Sequence, residues 1–309
     1  MLTHFVQIGT VIAVLWVTAG VLAWWLPWLE LFNDLRIVIL FGTGVLFTTS
    51  LMIAAWHQAA VAASVIFATL LLSLVPFLTA AKRRKQDSAL LRLLSFNIQT
   101  TNQRFREIAA FIARTNADVV IVQEVDRAAA TELLCELGEA YPHMHCGGKD
   151  REVGLALYSK HSPLESGAID RTAFNPGVVW ARYCQDAISY EVIGVYLAYP
   201  LHPRVQARHI NWLIGDVRAR TGPLIVAGDF NLTPFSAKLT KFAIVTGLRR
   251  HATLLATWPA DKFFPAFLID HVFATCEFFT VKVATGPFLG SDHRPIIADI
   301  GMDDPTSQR

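Results

Sequence analysis

The chain has 309 residues, of which 53% are hydrophobic, and its mean hydropathy of +0.39 is too high for an ordinary soluble protein. Its formal net charge of +2 excludes the strong basic field that attracts nucleic acid. The apolar excess lies near the N-terminus, because residues 5–81 contain only four ionisable side chains, namely Glu30, Asp34, Arg36 and His57. The chain therefore divides into a membrane region, 1–81, and a soluble domain of about 225 residues.

The membrane region contains three apolar runs, at roughly 5–27, 35–56 and 58–80. Each run is close to the ~20 residues that a helix needs to cross the hydrocarbon core of a bilayer. We predict three transmembrane helices. Two helices and one segment lying in the membrane interface are the alternative.

A basic cluster, Lys82 to Lys85, follows the third apolar run. We interpret residues 82–88 as a basic juxtamembrane linker. Basic residues beside a span are typical of its cytoplasmic side, so the pattern predicts a multi-pass protein of the cell inner membrane with a cytoplasmic soluble domain. A periplasmic soluble domain stays open as the alternative.

The soluble domain, 89–302, mixes strand-like and helix-like segments. Strands are predicted at 90–98, 118–125, 153–160, 188–199, 223–231, 266–275, 280–284 and 295–300, and helices at 102–116, 127–141, 204–221 and 236–247. The mixture predicts an α/β domain with sheets packed face to face and helices outside. Residues 303–309 are predicted to be a disordered tail.

Polar side chains follow three of the predicted strands. Asn97 and Glu124 end the first two, and Asp229 and Asn231 end the strand "PLIVAGDFN". Because side chains alternate along a strand, Asp229 and Asn231 face the same way. Burying ionised carboxylates without partners is costly, so several such residues at strand ends predict one shared site. Oxygen ligands of this kind, together with substrate phosphate, suit Mg²⁺.

Four short blocks, "SFNIQ", "QEVD", "GDFN" and "SDHRP", occur in this order between residues 95 and 295. Together they resemble the signature blocks of the endonuclease/exonuclease/phosphatase family, and the chain resembles a membrane-anchored bacterial type of it. The resemblance covers about 90–300. It implies a four-layer α/β sandwich, in which two packed mixed β-sheets are flanked by helices. It also implies a metal-dependent hydrolase that acts on phosphoric ester bonds by in-line attack of an activated water.

The resemblance assigns metal binding to Glu124, with Asn97 beside it and with Asp292 as a further ligand in some members. The implied cofactor is Mg²⁺, with Mn²⁺ as the alternative. Gln99 stands where some members place another acidic ligand. This departure favours Glu124 as the main carboxylate ligand, with waters completing the shell.

The resemblance also assigns catalytic roles. Asp229 matches the aspartate that orients or deprotonates the attacking water, and Asn231 matches an amide that holds a phosphate oxygen. His293 matches the histidine that contacts the scissile phosphate, and Asp270 matches an aspartate that pairs with a catalytic residue. Tyr199 stands where many members carry a histidine and where AP endonucleases carry a tyrosine.

These assignments predict a membrane-anchored phosphoesterase that cleaves a phosphodiester or a phosphomonoester. From residue 86 onward the chain has 22 Lys and Arg against 23 Asp and Glu, so its net charge is −1. The anchor and this charge favour a lipid-linked or small phosphorylated substrate. Arg208 is a candidate substrate-phosphate contact, although a solvated face is the simpler interpretation. A nuclease acting on nucleic acid and a catalytically inactive membrane scaffold are the alternatives, and the oligomeric state stays open.

Two further features carry less information. The four cysteines contain no C-x-x-C pair and allow three disulfide connectivities, and we expect buried free thiols. The segment "HMHC", 143–146, lacks a second ligand pair at zinc-finger spacing, so we interpret it as a loop.

Overall fold

The computed structural model describes residues 1–85, 89–147, 154–185, 188–251, 255–262 and 267–303. The chain divides into two compact units. One unit consists of Met1–Leu78 and Leu232–Lys241, and the other of Thr79–Asn231 and Phe242–Arg309. Most of the predicted tail, 304–309, and part of the predicted linker, 86–88, lie outside the described residues.

The first unit is helical. Its helices are α1 (Leu2–Leu22), α2 (Leu31–Asp34), α3 (Arg36–Met52), α4 (Trp56–Leu72) and α5 (Val75–Leu78). Two helical stretches, Leu2–Leu22 and Trp56–Leu78, are long and apolar enough to cross a membrane. A third span results if the bent pair Pro27–Asp34 and Arg36–Met52, with an angle of 59°, counts as one. Their large side chains, such as Phe41 and Phe67, are largely exposed, as expected of helices that are apolar all round.

The second unit contains two six-stranded sheets. The first sheet has the order β11-β12-β1-β2-β4-β3 and the second has the order β5-β6-β7-β8-β10-β9. The strands are β1 (Leu91–Asn97), β2 (Val119–Val125), β3 (His143–Gly147), β4 (Gly154–Ser159), β5 (Glu165–Ile169), β6 (Gly177–Gln185), β7 (Ile188–Tyr196), β8 (Leu224–Asp229), β9 (Arg249–Arg250), β10 (Asp270–Ala274), β11 (Phe278–Thr285) and β12 (Ile296–Met302). Pairs β1–β2 and β7–β8 are parallel and the other described pairs are antiparallel, so both sheets are mixed.

The parallel pairs are joined by helical crossovers, since two-residue hairpins cannot connect parallel strands. Helix α6 (Phe105–Thr115) joins β1 to β2, and α8 (Pro203–Ala219) joins β7 to β8. Two more α-helices lie among the described residues, α7 (Arg127–Leu137) and α9 (Ala237–Thr246), and the unit boundary falls within α9 after Lys241. The predicted arrangement of two packed mixed sheets flanked by helices is confirmed.

The alternation of side chains along β1 and β8 directs the candidate site residues into the space between the sheets. Leu91 and Leu93 of β1 belong to the core between the sheets, whereas Leu94 and Phe96 belong to the core under α6 and α7. Asn97 has the same parity as Leu91 and Leu93, and so shares their face. In β8, Ile225 and Ala227 belong to the core between the sheets, and Asp229 follows at the same parity.

Four strands were missed by the sequence pattern, namely β3, β5, β6 and β9. The predicted loop at 143–146 was wrong, because these residues form β3 at the edge of the first sheet, where they pair with β4. Strands β3, β5 and β9 lie at sheet edges, where polar side chains are common and no long apolar run marks the strand. Strand β6 is interior, and its buried residues Val178 and Val179 were not recognised as part of a strand. The four cysteines are free, as expected, but three of them are exposed rather than buried.

Residues Ala81 to Arg84, at the end of the predicted membrane region and the start of the predicted linker, belong to the second unit. The Ala81 nitrogen donates to the Arg250 carbonyl oxygen at 2.7 Å, and the Thr280 nitrogen donates to the Lys82 carbonyl oxygen at 2.8 Å. Arg84 also pairs with Asp303. These contacts extend the ordered backbone of the second unit to residues that the sequence assigned to a linker.

Candidate active site

The site begins where β1 and β8, one from each sheet, deliver polar side chains to the same gap. Asn97 ends β1 and Asp229 ends β8, and both are fully buried. The Asn97 Nδ2 donates to Asp229 Oδ2 at 3.1 Å. Both side chains lie on the strand faces that look into the space between the sheets, so they form a direct contact from one sheet to the other.

The turn after β8 fixes Asn231 against Asp229. The Asn231 backbone nitrogen donates to Asp229 Oδ1 at 2.8 Å, and its Nδ2 donates to Asp229 Oδ2 at 3.1 Å. Asn231 adopts a left-handed conformation with φ 51°. Gly228 has φ 149°, and a Cβ at this position would overlap the Val195 carbonyl oxygen, so only glycine fits.

His293 and Asp270 form a buried pair next to Asp229. Strand β10 pairs with β8 so that Asp270 lies opposite Asp229. The His293 Nδ1 lies 2.9 Å from Asp270 Oδ2, and its Nε2 lies 3.9 Å from Asp229 Oδ2. The imidazole thus presents one nitrogen to each carboxylate.

The protonation of this group follows from its burial and its charges. Burial disfavours the imidazolium, but the carboxylates of Asp270 and Asp229 outweigh that effect and raise the pKa of His293. Burial raises the pKa of Asp229, and the charge of His293 opposes this increase. We therefore describe His293 as the cation of the group, because two carboxylates face it.

Glu124 reaches the site through a bulge in β2. The register of β2 against β4 shifts between Gln123 and Val125, and Glu124 has φ 59°. A residue in this left-handed conformation turns its side chain away from the alternation of the strand. The Glu124 carboxylate is half-buried and accepts a bond from Asn97 Nδ2 at 3.0 Å.

The remaining donors to Glu124 surround both of its oxygens. The Thr100 nitrogen and hydroxyl group donate to Oε2, each at 3.2 Å, and two tyrosines approach Oε1. Burial by itself would raise the pKa of Glu124. The hydrogen bonds from Asn97, Tyr196, Thr100 and Tyr199 outweigh burial and hold that pKa below its usual range.

Tyr199, which the sequence placed in the site, is accompanied by Tyr196, which it did not. The Tyr196 hydroxyl lies 2.9 Å and the Tyr199 hydroxyl 3.1 Å from Glu124 Oε1, and the two hydroxyls are 3.0 Å apart. Burial and the Glu124 charge raise the pKa of Tyr196, so its hydroxyl keeps its proton. The available signal was a tyrosine ending the apolar run "VIGVY", in the strand next to that of Asp229.

Two other predicted residues make contacts away from these side chains. Asp292 Oδ2 accepts from Trp258 Nε1 at 2.9 Å. Arg208 donates to the Ala173 carbonyl oxygen at 3.1 Å and lies over the Phe174 ring. Arg208 is therefore held by the loop before β6. Asp292, which was predicted as a further metal ligand, is not part of the group of close ligand atoms formed by Asp229, Asp270 and His293.

Two groups of side chains among the described residues contain possible ligands for a divalent cation. Asp229, Asp270 and His293 offer ligand atoms within 4.8 Å of one another, but all three are buried and His293 is hydrogen-bonded to Asp270. Mg²⁺ keeps several waters, so this group fits a hydrogen-bonded set better than a Mg²⁺ site. The carboxylate of Glu124, which is only partly buried, fits a hard cation that retains water.

Asn97 lies between the Glu124 and Asp229 carboxylates as a hydrogen-bond donor to both. Its Nδ2 faces the Glu124 and Asp229 carboxylates, and its Oδ1 accepts from the Gln99 backbone nitrogen at 3.0 Å. In this orientation Asn97 positions the Glu124 carboxylate through a hydrogen bond.

The fold and this site define a class of protein, the α/β sandwiches whose polar site lies between the ends of two packed sheets. A family model described as the Endonuclease/Exonuclease/phosphatase family matches residues 94–293. The chain belongs to this family. Members of the family are typically hydrolases of phosphoester bonds and depend on a divalent metal. A search of curated proteins found no match.

Solved structures of the same family have the same fold. An endonuclease/exonuclease/phosphatase from Beutenbergia cavernae is 20% identical, with a TM-score of 0.59 over 69% of this chain and 72% of that one. Humanized D. rerio TDP2 is 17% identical, with a TM-score of 0.57 over 69% and 99%. A mannosyl-6-phosphatase from Bacteroides thetaiotaomicron is 16% identical, with a TM-score of 0.55 over 68% and 99%.

Proposed function

We propose that this protein is a membrane-anchored, Mg²⁺-dependent phosphoesterase that hydrolyses its substrate by in-line attack of water. The observation that carries the proposal is the convergence of Asp229, Asn231 and His293 with the half-exposed Glu124 carboxylate. Such a group combines a base, an amide donor and a cation around one space, as phosphoryl transfer requires.

Each side chain has a role in the proposed reaction. Asp229, which is buried and has a raised pKa, orients the attacking water and accepts its proton. His293, held by Asp270, donates to a phosphoryl oxygen and offsets its growing charge. Asn231, fixed by Asp229, offers its amide to a second phosphoryl oxygen.

Glu124 would hold the metal, and its neighbours would orient it. A bound Mg²⁺ supplies positive charge for the phosphoryl oxygens. The hydrogen bonds from Asn97, Tyr196 and Tyr199 fix the carboxylate in one direction. The lowered pKa of Glu124 keeps it ionised at neutral pH, ready to bind a cation.

A lipid-linked phosphoester is the substrate class that the surroundings of the site favour. Leu201 is 81% exposed and lies two residues after Tyr199. Phe174 is 69% exposed and lies in the same loop as Arg171, whose guanidinium is 4.4 Å from the centre of the Tyr196 ring. Exposed apolar side chains of this size suit an apolar substrate group. The net charge of −1 from residue 86 onward gives no electrostatic attraction to DNA. We propose that the apolar helices hold the chain in the cell inner membrane with the catalytic domain in the cytoplasm.

The full-length protein in detergent tests this proposal against a panel of phosphodiesters and phosphomonoesters. We expect hydrolysis that requires Mg²⁺ or Mn²⁺, that stops with EDTA, and that is fastest on lipid-linked or small phosphorylated substrates. Faster cleavage of DNA or RNA, with affinity falling steeply in salt, would instead assign a nuclease. An absence of turnover on the whole panel would leave an inactive membrane scaffold.

A further inference from the structure

Three of the four ionisable residues of the apolar region lie together and are buried. Glu30, Asp34 and Arg36 are 2%, 7% and 7% exposed, whereas His57 is exposed. Charged residues among membrane-spanning helices are costly and indicate a specific partner. The partner of these three is a segment of the same chain, 232–241, which belongs to the same compact unit.

The acidic side chains bind the backbone of this segment. Asp34 Oδ1 accepts from the Thr233 nitrogen at 3.1 Å and from the Thr233 hydroxyl at 2.8 Å. Glu30 Oε1 accepts from the Ala237 nitrogen at 2.7 Å. Ala237 is the first residue of α9, so the Glu30 carboxylate satisfies a free N–H group at the positive end of that helix.

Arg36 contacts the segment through Phe235 and contacts α2 through Asn33. Its guanidinium lies 5.2 Å from the centre of the Phe235 ring, and its Nη2 donates to Asn33 Oδ1 at 2.6 Å. Asn33 Nδ2 in turn donates to the Gly20 carbonyl oxygen of α1 at 2.9 Å. A Cβ at Gly20 would lie 2.8 Å from Asn33 Oδ1, so the glycine gives the Asn33 amide room to approach α1 closely.

Apolar packing fixes the segment as well. Ala237 is buried in a cluster with Ala23 and Leu29, against which Ala19 and Phe32 pack. The segment therefore has charge-assisted hydrogen bonds, a cation–ring contact and apolar contacts within the helical unit. These contacts hold the segment at Thr233, Phe235 and Ala237.

The segment starts one peptide bond after Asn231, the amide that the proposed function places on a phosphoryl oxygen. We propose that Glu30 and Asp34 are positioning residues that fix segment 232–241 and, through the continuous backbone, the left-handed turn at Asn231. This inference rests on the proposed function for the role of Asn231, but the fixation of the segment stands by itself.

The test uses the full-length protein in detergent and two independent measurements. Hydrogen exchange by mass spectrometry reports the opening of residues 232–241, and steady-state kinetics separates kcat from KM. In Asp34→Ala and Glu30→Gln, we expect exchange of this peptide to become about tenfold faster, because each variant loses or weakens a hydrogen bond to a charged group. We expect kcat to fall about tenfold with KM nearly unchanged.

Two further variants make the test specific. His57→Gln replaces the fourth ionisable residue of the same region, which is exposed, and should leave both measurements unchanged. Thr233→Val removes only the hydroxyl that donates to Asp34, and is the mild variant if Asp34→Ala does not fold. The double variant Asp34→Ala/Thr233→Val should be no worse than Asp34→Ala, because the two residues act through one contact.

The outcomes separate this inference from the proposed function. Unchanged exchange of 232–241 in Asp34→Ala, or in Thr233→Val where the former does not fold, would overturn the fixation. Faster exchange with unchanged kcat would overturn the positioning of Asn231. Faster exchange in a protein whose wild-type form hydrolyses no phosphoester would reject the proposed function and leave the fixation of the segment standing.

Discussion

Replacing Asp270 by Asn tests the part of the site on which the proposed chemistry depends most. The carboxylate of Asp270 lies 2.9 Å from His293 Nδ1, and the two residues are 3% and 4% exposed. Asn keeps the shape and an acceptor oxygen but removes the negative charge. His293 then loses the strongest interaction that favours its imidazolium form.

The expected magnitude follows from burial. Breaking a buried ion pair by removing one partner costs about 3–5 kcal/mol, whereas an exposed pair contributes about 0–1 kcal/mol. At 1.36 kcal/mol for each factor of ten, a loss expressed in the transition state lowers kcat by roughly two to four orders of magnitude.

The assay is hydrolysis of a chromogenic aryl phosphodiester or monoester under saturating Mg²⁺, with circular dichroism as the check on folding. Glu165→Gln is the matched control, because it neutralises one partner of an exposed pair with Arg182 at 3.0 Å. This control should change kcat by less than about threefold. A folded Asp270→Asn protein with kcat within threefold of wild type would refute the role of the pair.

Four further predictions concern other parts of the site. Glu124→Gln should raise the Mg²⁺ concentration for half-maximal rate at least about tenfold, and an unchanged Mg²⁺ titration would remove Glu124 as a ligand. Tyr196→Phe should weaken Mn²⁺ binding, followed by electron paramagnetic resonance, by about 10-fold or more, while the buried Tyr141→Phe, whose hydroxyl bonds the backbone elsewhere, should not. Asp229→Ala should lower kcat by several orders of magnitude with folding intact, and near-normal turnover would contradict its role as base. Gly228→Ala should lower the free energy of unfolding by roughly 3 kcal/mol or more, because the added Cβ overlaps backbone, and an unchanged melting temperature would count against that geometry.

Periodicity predicted only a mixture of strands and helices, whereas the two-sheet sandwich and the roles of the site residues were implied by the resemblance to the family. Alternation was applied to Asp229 and Asn231, but β8 ends at Asp229 and Asn231 lies in the following turn with φ 51°. In the structure, alternation along β1 and β8 directs Asn97 and Asp229 into the space between the two sheets. His293 came from the block "SDHRP" and Asp270 from a separate match to the family, and the structure places His293 Nδ1 2.9 Å from Asp270 Oδ2. The division into an apolar region and a mixed α/β domain followed from composition.

The tertiary structure decided which neighbours these residues have. Tyr196 reaches Glu124 from the other sheet, across a bulge whose left-handed residue no periodicity reveals. Asp292 and Arg208 turn to Trp258 and to the loop before β6, although their sequence positions suit a site residue.

The acidic pair Glu30 and Asp34 shows most clearly that the sequence does not reveal contacts between distant segments. Glu30 and Asp34 are conspicuous in the sequence, but their partners, Ala237 and Thr233, lie 207 and 199 residues further along the chain. Composition and periodicity describe a segment and its faces. Contacts between distant segments are set by strand register, bulges and helix packing, and these exist only once the chain has folded.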